Sequence, residues 1–205
     1  MGVVDEVVVA TDDARVVSAV APLGVAGVLT GHRHRSGTER VAEVVRMGPY
    51  ADAELVLNVQ GDEPFLPVAA VTAVISLVRA GAEVATAAVP LGPEDALDPN
   101  RVKVIVNEEG SALGFSRTVP ARSRGIRVLH HLGVYGYRRD ALLRLVGLPA
   151  VAQEEREGLE QLRALGHGIR IGVAEVNSGP VRGIDTEDDL ARAGTYVAQL
   201  AERIG

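Results

Sequence analysis

The chain has 205 residues, and at about 150 residues per domain this length fits one domain that spans residues 1–205. Hydrophobic residues make up 47% and charged residues 23%, which excludes an intrinsically disordered chain, and the lack of cysteine excludes disulfides, zinc–cysteine sites and thiol catalysis. A net charge of -6 and an aromatic content of 3% argue against a nucleic acid polymer as partner, since such a partner requires a basic surface or aromatic stacking platforms.

Short apolar runs alternate along the chain with helical patterns, as they do in βαβ units. The predicted strands are Glu6–Ala10, Ala26–Leu29, Leu55–Val59, Glu83–Val89, Arg101–Val106, Leu129–Tyr137 and Ile169–Glu175. The predicted helices are Asp13–Ala21, Glu39–Arg46, Val68–Ala80, Arg139–Val146, Glu154–Leu165 and Thr186–Arg203. This order predicts an α/β fold with an open, mostly parallel, Rossmann-like sheet.

One region interrupts the alternation of strands and helices. Between Asp98 and Pro120, two strand-like runs flank the turn Asn107–Gly110, and the basic loop Ala121–Arg127 follows. We interpret this region as an antiparallel hairpin inserted into the sheet. Hairpins in such positions often cover a ligand site.

Several common signals are missing from the sequence. No apolar run is long enough to cross a membrane, and the first residues lack the basic and apolar regions of a signal peptide. We therefore expect a cytoplasmic protein with no membrane partner. The sequence also has neither a Gly-x-Ser-x-Gly string nor a Walker A loop, so covalent serine catalysis has no support.

Two aspartates lie in predicted turns at the edge of the sheet, where ligands bind in open α/β folds. Asp62 comes after the third strand and a glycine, and Asp185 comes shortly before the last helix. Two such carboxylates could hold Mg²⁺ beside the phosphates of a substrate. Alternatively, Asp185 or Thr186 only caps the last helix, since Thr186 and Asp189 have the spacing of a capping box.

The segment Ser36–Arg40 follows the second predicted strand and leads into a helix. Its amides and hydroxyls could contact a base edge or a phosphate, but the same string is also an ordinary capped helix start. The preceding basic run His32–Arg35 is typical of a solvated turn.

A third group of polar residues suits a ligand that carries a carboxylate and several hydroxyls. It comprises Arg117 and the segment His130–Arg138, which contains arginine, histidine and tyrosine side chains. Tyr135 and Tyr137 are two residues apart and so share one face of a strand, where cross-strand or core packing is the alternative interpretation.

Eight strings occur in order along almost the whole chain. They are Val8–Asp12, Ser36–Val44, Asn58–Pro64, Asp98–Val104, Phe115–Arg117, His131–Arg138, Leu159–Arg163 and Gly183–Leu190. Together they resemble the 3-deoxy-D-manno-octulosonate (Kdo) cytidylyltransferases of the nucleotide-diphospho-sugar transferase superfamily. One such string is a weak signal, but eight collinear strings are specific.

This resemblance implies transfer of a cytidylyl group from CTP to Kdo, giving CMP-Kdo and pyrophosphate for lipopolysaccharide biosynthesis. It implies a homodimer, and Mg²⁺ held by Asp62 and Asp185 as the catalytic carboxylates. The residues implied to contact the nucleotide are Ser36, Gly37, Thr38, Arg40 and Gln60. Those implied to contact the sugar are Arg117, His131, Tyr135, Glu160 and Gln161.

The resemblance also implies an opening strand and a loop, rich in Arg, Ser, Gly, Pro and Lys, that wraps the triphosphate of CTP. Such a unit needs about 30 residues, and the sequence begins just before the family's second strand. We therefore expect the 205-residue chain to bind CTP weakly and to catalyse poorly. Two alternatives stay open: the same chemistry on a related acidic sugar or another nucleotide, and a non-catalytic binding protein with this fold.

Overall fold

A computed structural model describes residues 3–120, 125–177, 183–184 and 186–204. Its strands are β1 (Val8–Thr11), β2 (Ala26–Leu29), β3 (Leu55–Val59), β4 (Val84–Pro90), β5 (Lys103–Val106), β6 (Ala112–Ser116), β7 (Arg127–Arg138) and β8 (Ile171–Glu175). Its helices are α1 (Ala14–Val20), α2 (Gly37–Val44), α3 (Val68–Arg79), α4 (Pro93–Leu97), α5 (Arg139–Leu145), α6 (Ala152–Glu157), α7 (Leu162–Gly166) and α8 (Glu187–Ile204). Single 3₁₀ turns lie at Ala21–Leu23 and Gly48–Tyr50.

The described strands form two sheets. β1 and β2 pair in parallel, and the other six strands form a mixed sheet around β7. One edge of β7 pairs with β4, while its other edge pairs with β5 near its start and with β3 near its end. β3, β4, β5 and β8 run in one direction and β6 and β7 in the opposite direction.

The predicted α/β class and open sheet are confirmed, as is the inserted hairpin. β5 and β6 pair antiparallel, and Gly110 has a φ of 77° in the turn that joins them. The sheet is mixed because β7 follows the hairpin and returns through the middle of the sheet. The predicted basic loop Ala121–Arg127 lies largely outside the described residues, and its last residue begins β7.

The six-stranded sheet is covered on both faces. Along β4, Val84 and Ala88 pack toward α2, α5 and α7, whereas Ala85, Ala87 and Val89 pack toward α3. This alternation follows from the two-residue period of a strand and explains why β4 is apolar almost throughout. No helix in the described residues has both the length and the apolar character needed to cross a membrane.

The prediction of one helix over Glu154–Leu165 was wrong. Gly158, with a φ of 65°, ends α6, and α7 begins only at Leu162. The left-handed conformation costs glycine little, and it stops a right-handed helix whatever the surrounding apolar pattern. As a result, Glu160 and Gln161 lie in a turn between two short helices.

Candidate active site

A cleft of about 360 Å³ opens where β3 and β5 separate along one edge of β7. β3 ends opposite Val134 and β5 begins opposite His130, so the intervening part of β7 forms the floor of the cleft. Nine of the predicted site residues line it: Ser36, Gly37, Gln60, Asp62, Arg117, His131, Tyr135, Glu160 and Gln161.

The part of the cleft that the resemblance assigns to the nucleotide is formed by the start of α2 together with the turn after β3. The Ser36 side chain accepts a hydrogen bond from the backbone N–H of Glu39, so the segment is a capped helix start and a cleft wall at once. Gly37 lies against the Gln60 amide, since a Cβ at position 37 would come within 3.1 Å of Gln60 Oε1. Glycine at this position therefore lets Gln60 lie beside the helix start.

Two residues that the resemblance assigns to the nucleotide lie outside the cleft. Thr38 is buried beneath it, and its hydroxyl donates a hydrogen bond of 2.6 Å to Glu160 Oε1. Arg40 donates to Thr30 Oγ1 at 2.7 Å and forms an ion pair of 3.2 Å with Asp12. In this structure Thr38 supports the Glu160 carboxylate, and Arg40 joins the ends of β1 and β2.

Arg117, which the resemblance assigns to the sugar, is anchored by backbone carbonyls. Its Nε donates to Glu157 O at 3.1 Å and its Nη1 donates to Pro99 O at 3.3 Å. Its Nη2 has no hydrogen-bond partner among the described residues. The buried Lys103 donates to the Arg117 carbonyl at 3.0 Å, so both ends of Arg117 are held. This arrangement leaves one edge of the guanidinium for an anionic ligand.

Two buried oxygen atoms beside the cleft lack hydrogen-bond partners within the described part of the chain. They are Tyr135 Oη and Glu160 Oε2. Burial raises the pKa of Tyr135, and the charges of Tyr137 and Glu160 raise it further, so this phenol is neutral at physiological pH. An unsatisfied buried polar atom costs about 1–3 kcal/mol, and a bound ligand with hydroxyl groups would satisfy both atoms.

His131 is packed between two aromatic rings on the floor of the cleft. Its ring centre is 5.2 Å from that of Phe115 and 5.2 Å from that of Tyr135. Burial, together with a smaller effect of the neighbouring His130, lowers the pKa of His131 to about 3, so the imidazole is neutral at pH 7. A neutral imidazole offers one hydrogen-bond donor and one acceptor.

Asp62 lies in the turn after β3 and lines the cleft. Its backbone carbonyl accepts a hydrogen bond of 2.7 Å from the N–H of Ile184, the residue before Asp185. Asp185 itself lies outside the described residues. Thr186 and Asp189 bond reciprocally, which confirms the capping box at the start of α8.

A two-carboxylate set matches the oxygen ligands that Mg²⁺ prefers, and the Ile184 contact brings the backbone beside Asp185 next to Asp62. The described residues contain no group of three or more His, Asp or Glu side chains that could hold a metal. Mg²⁺ does not require one, because it commonly keeps several water ligands and binds substrate phosphates. The Asp62 carboxylate is therefore the type of ligand that this ion takes.

Further cleft residues went unassigned in the sequence analysis: Arg35, Glu63, Asn100 and Arg101. Asn100 and Arg101 lie within one of the eight strings, so their place in that string was the available signal. Arg101 is buried, 3.8 Å from the Asp98 carboxylate and 4.0 Å from that of Asp189. It links the segment before β5 to the capping box of α8.

Residues 1–171 match the family model described as Cytidylyltransferase. The 3-deoxy-manno-octulosonate cytidylyltransferase of Xanthomonas oryzae is 44% identical over 93% of this chain and 79% of its own length. That of Methylococcus capsulatus is 43% identical over 94% of this chain and 81% of its own length. The chain belongs to the 3-deoxy-manno-octulosonate cytidylyltransferase family. The resemblance stated from the eight strings is confirmed.

Solved structures agree with this family. CMP:2-keto-3-deoxy-manno-octonic acid synthetase complexed with CTP matches this cytidylyltransferase with a TM-score of 0.84 and 39% identity, over 96% of this chain and 82% of that one. A glucose-1-phosphate thymidylyltransferase of Bacillus anthracis, described as putative, matches with a TM-score of 0.60 and 14% identity, which shows a shared fold.

Proposed function

We propose that this cytidylyltransferase transfers the cytidylyl group of CTP to 3-deoxy-manno-octulosonate and releases pyrophosphate. One observation carries the proposal: a single cleft is lined by Gly37 and Gln60, by Arg117 and Tyr135, and by Asp62. The family membership supports it, as does the similarity to a synthetase structure that contains CTP.

In the proposed reaction, the anomeric hydroxyl of the sugar attacks the α-phosphorus of CTP. A new oxygen–phosphorus bond forms, the bond between the α-phosphorus and the bridging oxygen breaks, pyrophosphate leaves, and the proton of the hydroxyl is released to water. No covalent intermediate with the protein is needed. The protein's part is to hold the two substrates in line and to balance their negative charge.

The sugar wall provides a cation and several neutral groups. Arg117 offers its free Nη2 edge to the sugar carboxylate, because its Nε and Nη1 are already held by carbonyl oxygens. Tyr135 Oη and Glu160 Oε2 take hydrogen bonds with sugar hydroxyls, which satisfies their unused capacity. Gln161, in the same turn as Glu160, extends this wall.

Asp62 lines the same cleft as both of these groups of residues. Asp62 and Asp185 would hold Mg²⁺, which when bound neutralises phosphate charge and helps to activate the attacking hydroxyl. The homodimer and the cytoplasmic location stay predictions of the sequence and of the resemblance.

The test is pyrophosphate release by the purified chain with CTP, Kdo and Mg²⁺. UTP or ATP replaces CTP in parallel reactions, and a panel of other acidic sugars replaces Kdo. We expect release to require CTP and Kdo together. Equal release with UTP, a faster reaction with another acidic sugar, or no release with Kdo would contradict the proposal.

A further inference from the structure

Thr86 lies in the middle of β4, fully buried, and meets β7 where the pairing of the two strands is irregular. Thr86 is opposite Tyr135, but the next residue, Ala87, is opposite Leu132. Two residues of β7, Gly133 and Val134, therefore have no partner in β4. The Thr86 side chain fills this bulge, with its hydroxyl 2.7 Å from Val134 O and 2.9 Å from His131 Nε2.

The proton count of this small network fixes the direction of each bond. A threonine hydroxyl has one proton, and the Val134 carbonyl can only accept, so Thr86 donates to Val134 O. Thr86 Oγ1 must then accept from His131, which places a proton on Nε2. In a neutral imidazole the other nitrogen, Nδ1, consequently carries a lone pair.

His131 also lines the cleft, and among the described residues its Nδ1 has no hydrogen-bond partner. We propose that Thr86 is a positioning residue that holds His131 in the Nε2-protonated form, so that Nδ1 accepts a hydrogen bond from a hydroxyl of the acidic sugar. The second half of this inference rests on the proposed function, because it assumes that the sugar binds against His131.

The fixed tautomer gives the proposed sugar wall a defined arrangement of hydrogen-bond donors and acceptors. Arg117 can only donate hydrogen bonds, Glu160 Oε2 can only accept them when ionised, and His131 Nδ1 adds a second acceptor. Such a wall binds a ligand with an anionic end and hydroxyl groups beyond it. A histidine free to exchange tautomers would accept a hydroxyl proton for only part of the time.

The tautomer is tested first without substrate, by ¹⁵N NMR of the histidine-labelled chain at pH 7, with His131→Gln used to assign the signal. We expect the ring nitrogens of His131 to show the ¹⁵N chemical shifts of a protonated Nε2 and an unprotonated Nδ1. A protonated Nδ1, or rapid exchange between the tautomers, would overturn the proposal. This measurement is independent of which sugar the protein uses.

The kinetic test compares Thr86→Val, which keeps the shape and removes the hydroxyl, with Thr86→Ser, which keeps the hydroxyl. We expect Thr86→Val to raise KM for Kdo about tenfold while KM for CTP changes less than about twofold. Thr86→Ser should stay within about threefold of the wild type. Equal rises in both KM values, or a Ser variant as poor as the Val variant, would refute a positioning role.

Val74→Ala is the control for simple loss of stability, since Val74 is buried on the opposite face of the same sheet. It should lower Tm without separating the two KM values. If Thr86→Val does not fold, the NMR pattern of the wild type still decides the question. If wild-type chain releases no pyrophosphate with Kdo, the proposed function fails, and the NMR result stands by itself.

Discussion

Replacing Arg117 with alanine should weaken binding of the sugar far more than binding of the nucleotide. Arg117 lines the cleft at the part that we propose to bind the sugar, and its Nε and Nη1 are held by Glu157 O and Pro99 O. The guanidinium is therefore already ordered, so little side-chain entropy is lost when a carboxylate binds to the remaining edge.

The size of the effect follows from the type of bond that is lost. A hydrogen bond to a charged group contributes about 1.5–3 kcal/mol, which corresponds to about 10-fold to 150-fold in an equilibrium constant. We therefore expect Arg117→Ala to raise KM for Kdo by about this factor, and to change KM for CTP by less than about threefold.

Steady-state pyrophosphate release, with each substrate varied at saturation of the other, gives the two KM values. Arg117→Lys is the matched control, because it keeps the charge but cannot bond both carbonyls and the sugar at once. It should give a smaller rise in KM for Kdo than alanine does. Equal effects of Arg117→Ala on both substrates would refute the assignment of this side chain to the sugar.

Three further changes test the metal site and the packing around the cleft. Asp62→Asn should lower turnover about 100-fold, with a change in stability of less than about 0.5 kcal/mol, because the side chain is exposed. Gly136→Ala should cost about 1–3 kcal/mol in chemical unfolding, since the new Cβ would lie 2.5 Å from Val74 Cγ1. Glu154→Gln should cost about 3 kcal/mol, because it removes the charge from a buried pair whose hydrogen bonds to Arg163 are 2.6 and 2.9 Å long.

Each of these changes has a control. Asp52→Asn alters an exposed aspartate outside the cleft and should leave turnover unchanged. If Asp52→Asn lowered turnover as much as Asp62→Asn does, there would be no basis for a metal site at Asp62. Combining Gly136→Ala with Val74→Ala should recover part of the lost stability, whereas simple addition of the two losses would show that the clash is relieved elsewhere. Glu155→Gln, next to the buried pair but exposed, should be nearly neutral.

Much of the fold was accessible from the sequence because β4 and β7 are apolar runs bounded by turn residues. The bounds of β2 and β3 were predicted to the residue, and the β5–β6 hairpin was recognised from its central turn. The break at Gly158 was missed because a glycine within a helical pattern does not by itself show a positive φ. Periodicity describes which face is apolar and not where the backbone turns.

The site was accessible in part. Ser36 and Gln60, which the resemblance assigns to the nucleotide, line the cleft, whereas Thr38 and Arg40, from the same string as Ser36, lie outside it. Their partners, Glu160 and Asp12, are distant in sequence, so only tertiary contacts decide where these two side chains point. The role of Thr86 was likewise invisible, because it depends on how β4 and β7 pair.

The irregular pairing of β4 and β7 also limits how this part of the chain can change in length. The bulge adds two residues, and because side chains alternate with a period of two, His131 and Tyr135 remain on the same face on either side of it. Loss of one residue between them would turn Tyr135 toward α3 and bring Val134 to the cleft. Insertions or deletions between His131 and Tyr135 therefore preserve the cleft only when they add or remove an even number of residues.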